Sequence, residues 1–335
     1  MCSIDVLDLH PRIIAAVKKA RWKKLDNVLT LSLPDLERAT GLSQGDVLIL
    51  KTAVAEHVPK LPGVTALSIW RGEVPGELQL RKLTTGCRLL DHALRGGIIS
   101  RGITEVAGES ASGKTQFCLQ LSLTAQLPVS QGGLHGGAAY VCTEDVFPNK
   151  RLQQMIQSFP KRVTPPLKQP VRFGDNIFIE HVSDMEGLSE CIRVKLPILL
   201  SKGRVQLVIV DSVAALFRCE YEMGEMVQRA KRLSSLAAQL HQLSYQYNIP
   251  VVCVNQVTAS MKNEGRKLIP ALGLTWSNQV TSRLMLSRTN QSVRVDGHTE
   301  TIVRQFEVLF APHLPRSQVP YIIDQEGVKG WSEQF

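Results

Sequence analysis

The sequence predicts an α/β fold: a central, mostly parallel sheet flanked by helices, preceded by a small all-helical domain. Three observations carry this reading. From about residue 83 onward, short apolar runs alternate with helical patterns, as a parallel sheet requires. One such run, Gly102-Ile103-Thr104-Glu105-Val106-Ala107, leads straight into Gly108-Glu109-Ser110-Ala111-Ser112-Gly113-Lys114-Thr115, a G-x-x-x-x-G-K-[ST] loop. The first sixty residues carry helix signals instead.

Taken in order, Pro11-Arg12-Ile13-Ile14-Ala15-Ala16-Val17 places a proline at a helix start, with an apolar face at 13, 14 and 17. Ser32-Leu33-Pro34-Asp35-Leu36 opens a second helix. Gly41-Leu42-Ser43 is a turn whose Ser43 caps a helix running from Val47 to Val58. Residues 1–60 therefore read as a helix-hairpin-helix-like domain. Such a turn contacts DNA phosphates in some proteins and merely joins helices in others. Pro62, Gly63, Gly72, Pro75 and Gly76 mark residues 61–82 as a linker. Within it, Val64-Thr65-Ala66-Leu67-Ser68-Ile69-Trp70 either packs on its own core or docks on a neighbouring subunit as an added assembly strand.

The core, 83–335, should hold strands at Ile103–Val106, Ala138–Cys142, Ile177–His181, Val205–Val210 and Val251–Val254. Helices follow at Thr115–Leu123 and at about Val227–Tyr247. Towards the C-terminus the pattern changes to hairpins, with Asp296-Gly297 as one turn.

Composition excludes several classes. No stretch reaches the roughly 18 apolar residues of a membrane span, and Met1-Cys2-Ser3-Ile4-Asp5 lacks the pattern of a secretory signal. Seven dispersed cysteines without a C-x-x-C pair imply free thiols in a reducing compartment. The histidines do not cluster with them at zinc-ligand spacing. A net charge of +9 suits a polyanionic partner. Lys150, Arg151, Lys161, Arg162, Lys168 and Arg172 lie in one stretch without an acid, which fits either a solvated loop or a nucleic-acid contact.

The chemistry centres on the glycine loop. Strand, turn and helix N-terminus aim backbone N–H groups and a helix dipole at one spot, where triphosphate binds. Gly108 and Gly113 allow the turn, Lys114 reaches the β- and γ-phosphates, and Thr115 ligates Mg²⁺. Asp211 ends the apolar strand Gln206–Val210 and would hold the Mg²⁺ shell with Thr115. Glu144, after Tyr140-Val141-Cys142-Thr143, is the candidate general base, with Asp145 as its competitor. Gln256 ends the strand Val251–Val254, where its amide could sense the γ-phosphate.

Gly108–Thr115, Thr143–Leu152, Leu207–Asp211 and Asn255-Gln256-Val257 together resemble the eukaryotic RecA-family recombinases along nearly the whole chain. The resemblance implies a RecA-like P-loop ATPase core using ATP and Mg²⁺. It makes Glu144 the residue that activates water, stacks Arg151 on adenine, and has Gln256 couple the γ-phosphate to a DNA-contacting loop. Pro312 and His313, in Ala311-Pro312-His313-Leu314-Pro315, match a cap over ATP bound on an adjacent subunit. Departures point to a paralogue branch. The F-x-x-A assembly motif is replaced by Val64-Thr65-Ala66-Leu67, and the loop interior Glu109-Ser110-Ala111-Ser112 is small. The second DNA loop, about Thr258–Leu272, is compact, with Lys262, Arg266 and Lys267 as its bases.

The implied function is a DNA-dependent ATPase subunit of a heteromeric paralogue complex in homologous-recombination repair of double-strand breaks, stalled forks and branched junctions. Its implied partners are another paralogue, of the C type, in an obligate heteromer, and also the strand-exchange recombinase, with single-stranded and branched DNA. The implied location is the nucleus with a cytoplasmic pool. The alternative is an assembly adaptor in which ATP is structural and hydrolysis incidental.

Overall fold

The computed structural model describes residues 4–20, 26–57, 63–76, 78–163, 165–167, 171–219, 225–259, 268–295 and 299–332. The chain divides into two compact units, Met1–Pro75 and Gly76–Phe335. Lys262, Arg266, Lys267, Lys168 and the Asp296-Gly297 turn lie outside the described residues.

The first unit is helical: Pro11–Lys19, Asp26–Thr30, Leu33–Thr40, Gln44–His57 and Ala66–Arg71. Its helix ends follow the capping residues. Ser32 Oγ accepts the Asp35 N–H at 3.3 Å, and Gly41 closes that helix in the left-handed region at φ 69°. Ser43 Oγ accepts the Asp46 N–H at 3.3 Å and starts the next. Ile13, Val17, Leu36, Val47, Leu50 and Val54 pack into one core. Arg12 reaches both Asp46 oxygens, at 2.6 and 2.7 Å, and with Ser43 holds that carboxyl below its usual pKa.

The apolar linker segment forms neither the extended strand of one reading nor the core-packed segment of the other. Ala66–Arg71 is a short helix. Thr65 Oγ1 accepts the Ser68 N–H at 3.1 Å, and Gly72 ends the helix at φ 72°. Those two caps outweigh a run of apolar residues too short to fix its own period. None of the six residues is buried, and Trp70 is 82% exposed.

The second unit is built on a nine-stranded sheet. Its spatial order is Gly327–Gly330, Ser317–Asp324, Thr299–Phe310, Ser282–Val295, Ile103–Gly108, Val251–Asn255, Val205–Asp211, Gly137–Cys142, Ile177–His181. From Ser282–Val295 to Ile177–His181 the strands are parallel; the first three are antiparallel additions. Helices cover both faces, so the central strands read as continuous apolar runs. Alternation still sorts their side chains: Ala138, Tyr140 and Cys142 join the core around Phe117 and Leu121, while Ala139 and Val141 join the one around Leu236 and Trp276.

One charge sits inside this packing. Glu105, fully buried in the strand Ile103–Gly108, accepts from Asn255 Nδ2 at 2.6 Å, Trp276 Nε1 at 3.0 Å and Arg283 Nε. A buried carboxylate persists only when it is paired and hydrogen-bonded in this way.

Strand order sets what meets what. Ala107 lies beside Asn255, and Cys142 beside Asp211, so the loop, both acids and Gln256 converge where the parallel strands end. Beyond Gln256, Val257–Ala259 pairs with Leu268–Pro270, and residues 260–267 between them lie outside the described residues. Phe310 is level with Arg283, itself beside Glu105, so the 311–316 turn leaves the sheet where the parallel strands begin.

Candidate nucleotide-binding site

The glycine loop joins the strand ending at Gly108 to the helix Lys114–Thr124. A Cβ at Gly108 would stand 2.3 Å from the Leu286 carbonyl oxygen and 2.6 Å from Ser112 Oγ. Gly113 has φ 101°, and its Cβ would meet Ile323 Cδ1 at 2.4 Å. Neither position accepts a side chain. The result is a concave backbone cradle at a helix N-terminus, the form that binds phosphate.

This cradle is one wall of a cleft of about 1240 Å³. The cleft gathers most of the residues expected from sequence: Gly108, Glu109, Ser110, Ala111, Gly113, Lys114, Thr115, Glu144, Arg151, Asp211 and Gln256. Ser112 is fully buried beneath the loop, where its carbonyl accepts the Tyr321 hydroxyl. Pro312 and His313 stand apart from the cleft, on the 311–316 turn. Burial, with Lys82 and Arg95 nearby, lowers the His313 pKa.

Lys114 Nζ donates to the carbonyls of Gly108 and Glu109, both at 2.9 Å. Burial lowers its pKa, and the charges of Asp211 and Glu144 oppose that shift. Lys114→Ala removes this mobile cation and leaves the backbone cradle. Loss of a charge-assisted bond of about 1.5–3 kcal/mol should weaken ATP binding roughly ten- to hundredfold. Titration with a fluorescent ATP analogue measures this; an unchanged Kd would remove Lys114 from phosphate binding.

Each acid is held by donors from neighbouring elements. Asp211 Oδ2 accepts from Tyr140 Oη at 2.6 Å and Thr115 Oγ1 at 3.0 Å. Burial raises the Asp211 pKa, and those two bonds work against the rise. Glu144 accepts from the Gln256 amide, 3.0 Å from each oxygen, and from Ser212 Oγ at 3.3 Å. Asp145 also lines the cleft, but Gln256 and Ser212 hold Glu144. Which acid Gln256 and Ser212 hold could not be read from sequence, because it depends on which strand neighbours which.

Arg151 is clamped beside the helix that follows the glycine loop. Its Nε donates to Gln116 Oε1 at 2.6 Å, and its two Nη atoms to the Gln325 and Asp324 carbonyls at 3.0 and 2.5 Å. Burial lowers its pKa. Such a clamped guanidinium plane can stack on a base.

Sequence reasoning missed Tyr140, Gln116, Ser212, Arg304 and Asp324, all of which line the cleft. Tyr140 was within reach of the period-2 rule, since it shares a pleat face with Cys142. Arg304, whose Nε donates to the Ala111 carbonyl at 3.3 Å, and Asp324 come from strands whose place in the sheet is not local information.

Comparison with known proteins agrees with this architecture. The Rad51 family model matches residues 77–331, and the XRCC3/RpoA-like, helix-hairpin-helix domain matches residues 4–58. The chain is 44% identical over 340 residues to "DNA repair protein XRCC3" of Mus musculus, covering 98% of this chain and 97% of that protein. Identity to the Bos taurus protein of the same name is 46% over 335 residues, with the same coverage. "DNA repair protein RAD51 homolog 2" of Homo sapiens is 31% identical over 333 residues, covering 90% of this chain and 81% of that protein. With its RecA-like sheet, its phosphate cradle and these matches along both units, the chain belongs to the Rad51 family.

Proposed function

We propose that this chain is an ATP-binding, DNA-dependent ATPase subunit of a heteromeric complex of recombinase paralogues, acting in homologous-recombination repair. The observation that carries the reading is the Glu144 carboxylate, held by Gln256 and Ser212 in the same cleft as Lys114, Thr115 and Asp211. Binding alone needs no such base.

The glycine cradle and Lys114 hold the triphosphate, and Arg151 faces the adenine. Thr115 and Asp211 offer oxygen ligands of the kind Mg²⁺ takes beside substrate phosphates. Mg²⁺, when bound, neutralises charge on those phosphates. Glu144 accepts the proton of the attacking water as the terminal phosphoryl group is cut from ADP. Gln256 joins this base to the hairpin Val257–Ala259 and Leu268–Pro270. DNA bound at the loop between those strands would shift Gln256 and so the base, which is how turnover becomes DNA-dependent.

The substrates we infer are single-stranded and branched DNA, the partner another paralogue of the C type, and the location the nucleus. The relatives named as DNA repair proteins support that setting. An adaptor reading keeps one specific support, the wholly unburied helix Ala66–Arg71. Phosphate release by the purified chain, alone, with the paralogue partner and with single-stranded DNA, separates the two. Turnover that rises with DNA supports the ATPase; ATP binding without turnover in any mixture supports the adaptor.

Partner docking through the linker helix makes a separate expectation. Trp70→Ala should leave the melting curve within about 0.5 kcal/mol of the parent, as exposed substitutions do, while reducing co-purification with the paralogue. Unchanged co-purification would take Trp70 out of the interface.

A further inference from the structure

Tyr140 is a phenol where the fold needs only an apolar side chain. It is 1% exposed, within the core around Phe117, on the strand Gly137–Cys142. Its ring is fixed edge-on against Phe147, with centroids 5.1 Å apart and planes at 78°. Its hydroxyl reaches across to the next strand and donates to Asp211 Oδ2 at 2.6 Å, the same oxygen that Thr115 Oγ1 approaches at 3.0 Å.

Two donors on one carboxylate oxygen have a chemical meaning. An ionised carboxylate has two oxygens that only accept, and a hydroxyl has one hydrogen and two lone pairs. Thr115 can donate its hydrogen to Asp211 while a lone pair faces a cation. Oδ2 is then committed to the two hydroxyls, and Oδ1 remains for the cation's shell. Without the phenol, Asp211 would turn about its Cβ–Cγ bond with only Thr115 to hold it, and Thr115 is itself called upon by the metal.

We propose that Tyr140 is the positioning residue of the metal subsite, fixing the Asp211 carboxylate in the one orientation that serves Mg²⁺. It acts through Asp211, the carboxylate that accepts its hydroxyl. This inference rests on the nucleotide-site reading above and deepens it: the cleft prefers the Mg²⁺ complex of ATP over free ATP because of a phenol hydrogen-bonded to the acid.

The test is a Mg²⁺ titration of the full chain with a fluorescent, non-hydrolysable ATP analogue, for the parent and Tyr140→Phe. The analogue's Kd in EDTA should be the same for both within about twofold. The Mg²⁺ midpoint of the tightened state should rise by about ten- to hundredfold in the variant, the usual effect of removing a residue behind a ligand. In an Asp211→Asn background, Tyr140→Phe should add nothing, because its route to the metal is already lost. An unchanged midpoint, a matching loss of affinity in EDTA, or additive effects in the double variant would each overturn the proposal. Phe147→Leu keeps the hydroxyl and frees the ring, and covers the case in which the phenylalanine variant does not fold. It should raise the midpoint by a smaller factor, and no rise would count against Tyr140. Should the parent bind no analogue at all, the nucleotide-site reading itself falls, a result separate from an unmoved midpoint.

Discussion

Glu144→Gln is expected to leave ATP bound and to slow its hydrolysis by about 10²–10⁴-fold, the usual loss when a general base is removed. The amide keeps the volume of the carboxylate and an oxygen for the Ser212 hydroxyl, which lies 3.3 Å away. It cannot take a proton. Gln256 meets a changed partner, because its amide now faces a group with one acceptor instead of two oxygens at 3.0 Å. Binding should therefore be retained, since Lys114 and the glycine cradle are untouched, while DNA stimulation is lost with the base. Analogue affinity and phosphate release, measured on the same preparation, give both halves of the result. Asp145→Asn is the matched control and should turn over like the parent. The reverse pattern would make Asp145 the base.

Glu105→Ala should destabilise the larger unit by about 3–5 kcal/mol, the cost of breaking a buried ion pair from one side. The side chain is fully buried, and its loss strands Arg283 Nε, Asn255 Nδ2 and Trp276 Nε1 together. Arg283 is only slightly exposed and has no second acid among its described contacts, so water cannot replace the carboxylate fully. Denaturant unfolding followed by tryptophan fluorescence reads the loss directly. A shift below about 1 kcal/mol would mean that the network is neutral against an apolar replacement, as some buried ion pairs are. Because Asn255 immediately precedes Gln256, a variant that still folds should also show weaker DNA stimulation.

How much of this was legible in the sequence depends on how local each feature is. The phosphate cradle was, because strand, glycine turn and helix start follow one another within twenty residues. The place of Asp211 in the cleft was, because an apolar strand ending in an acid announces itself. The helices around Gly41 and Ser43 were, because caps act on their own neighbours. The hold of Gln256 and Ser212 on Glu144 was not, since it needs Gly137–Cys142 to lie beside Val205–Asp211 in the sheet. Tyr140 was passed over because a tyrosine in a strand is ordinary until its hydroxyl finds a carboxylate. The linker was misread for the opposite reason. Its apolar run drew attention, while Thr65 and Gly72, which decide its conformation, are the quieter signals.

Pro312 and His313 leave the sheet at the end where the parallel strands begin, and the glycine loop opens at the other. A strand of six residues such as Ile103–Gly108 separates those ends by about 20 Å. If the turn carrying Pro312 and His313 is the cap that the family resemblance implies, its lid and its vessel stand at opposite ends and the chain cannot close its own. Lids of this kind work only head to tail, and head-to-tail contacts have a direction. A line of such chains always has one fewer closed vessel than it has members, and a pair has a single closed one. On that premise two paralogues in a pair would be unequal by position alone: one would lend its lid and leave its own site open to exchange, while the other would hold its nucleotide shut.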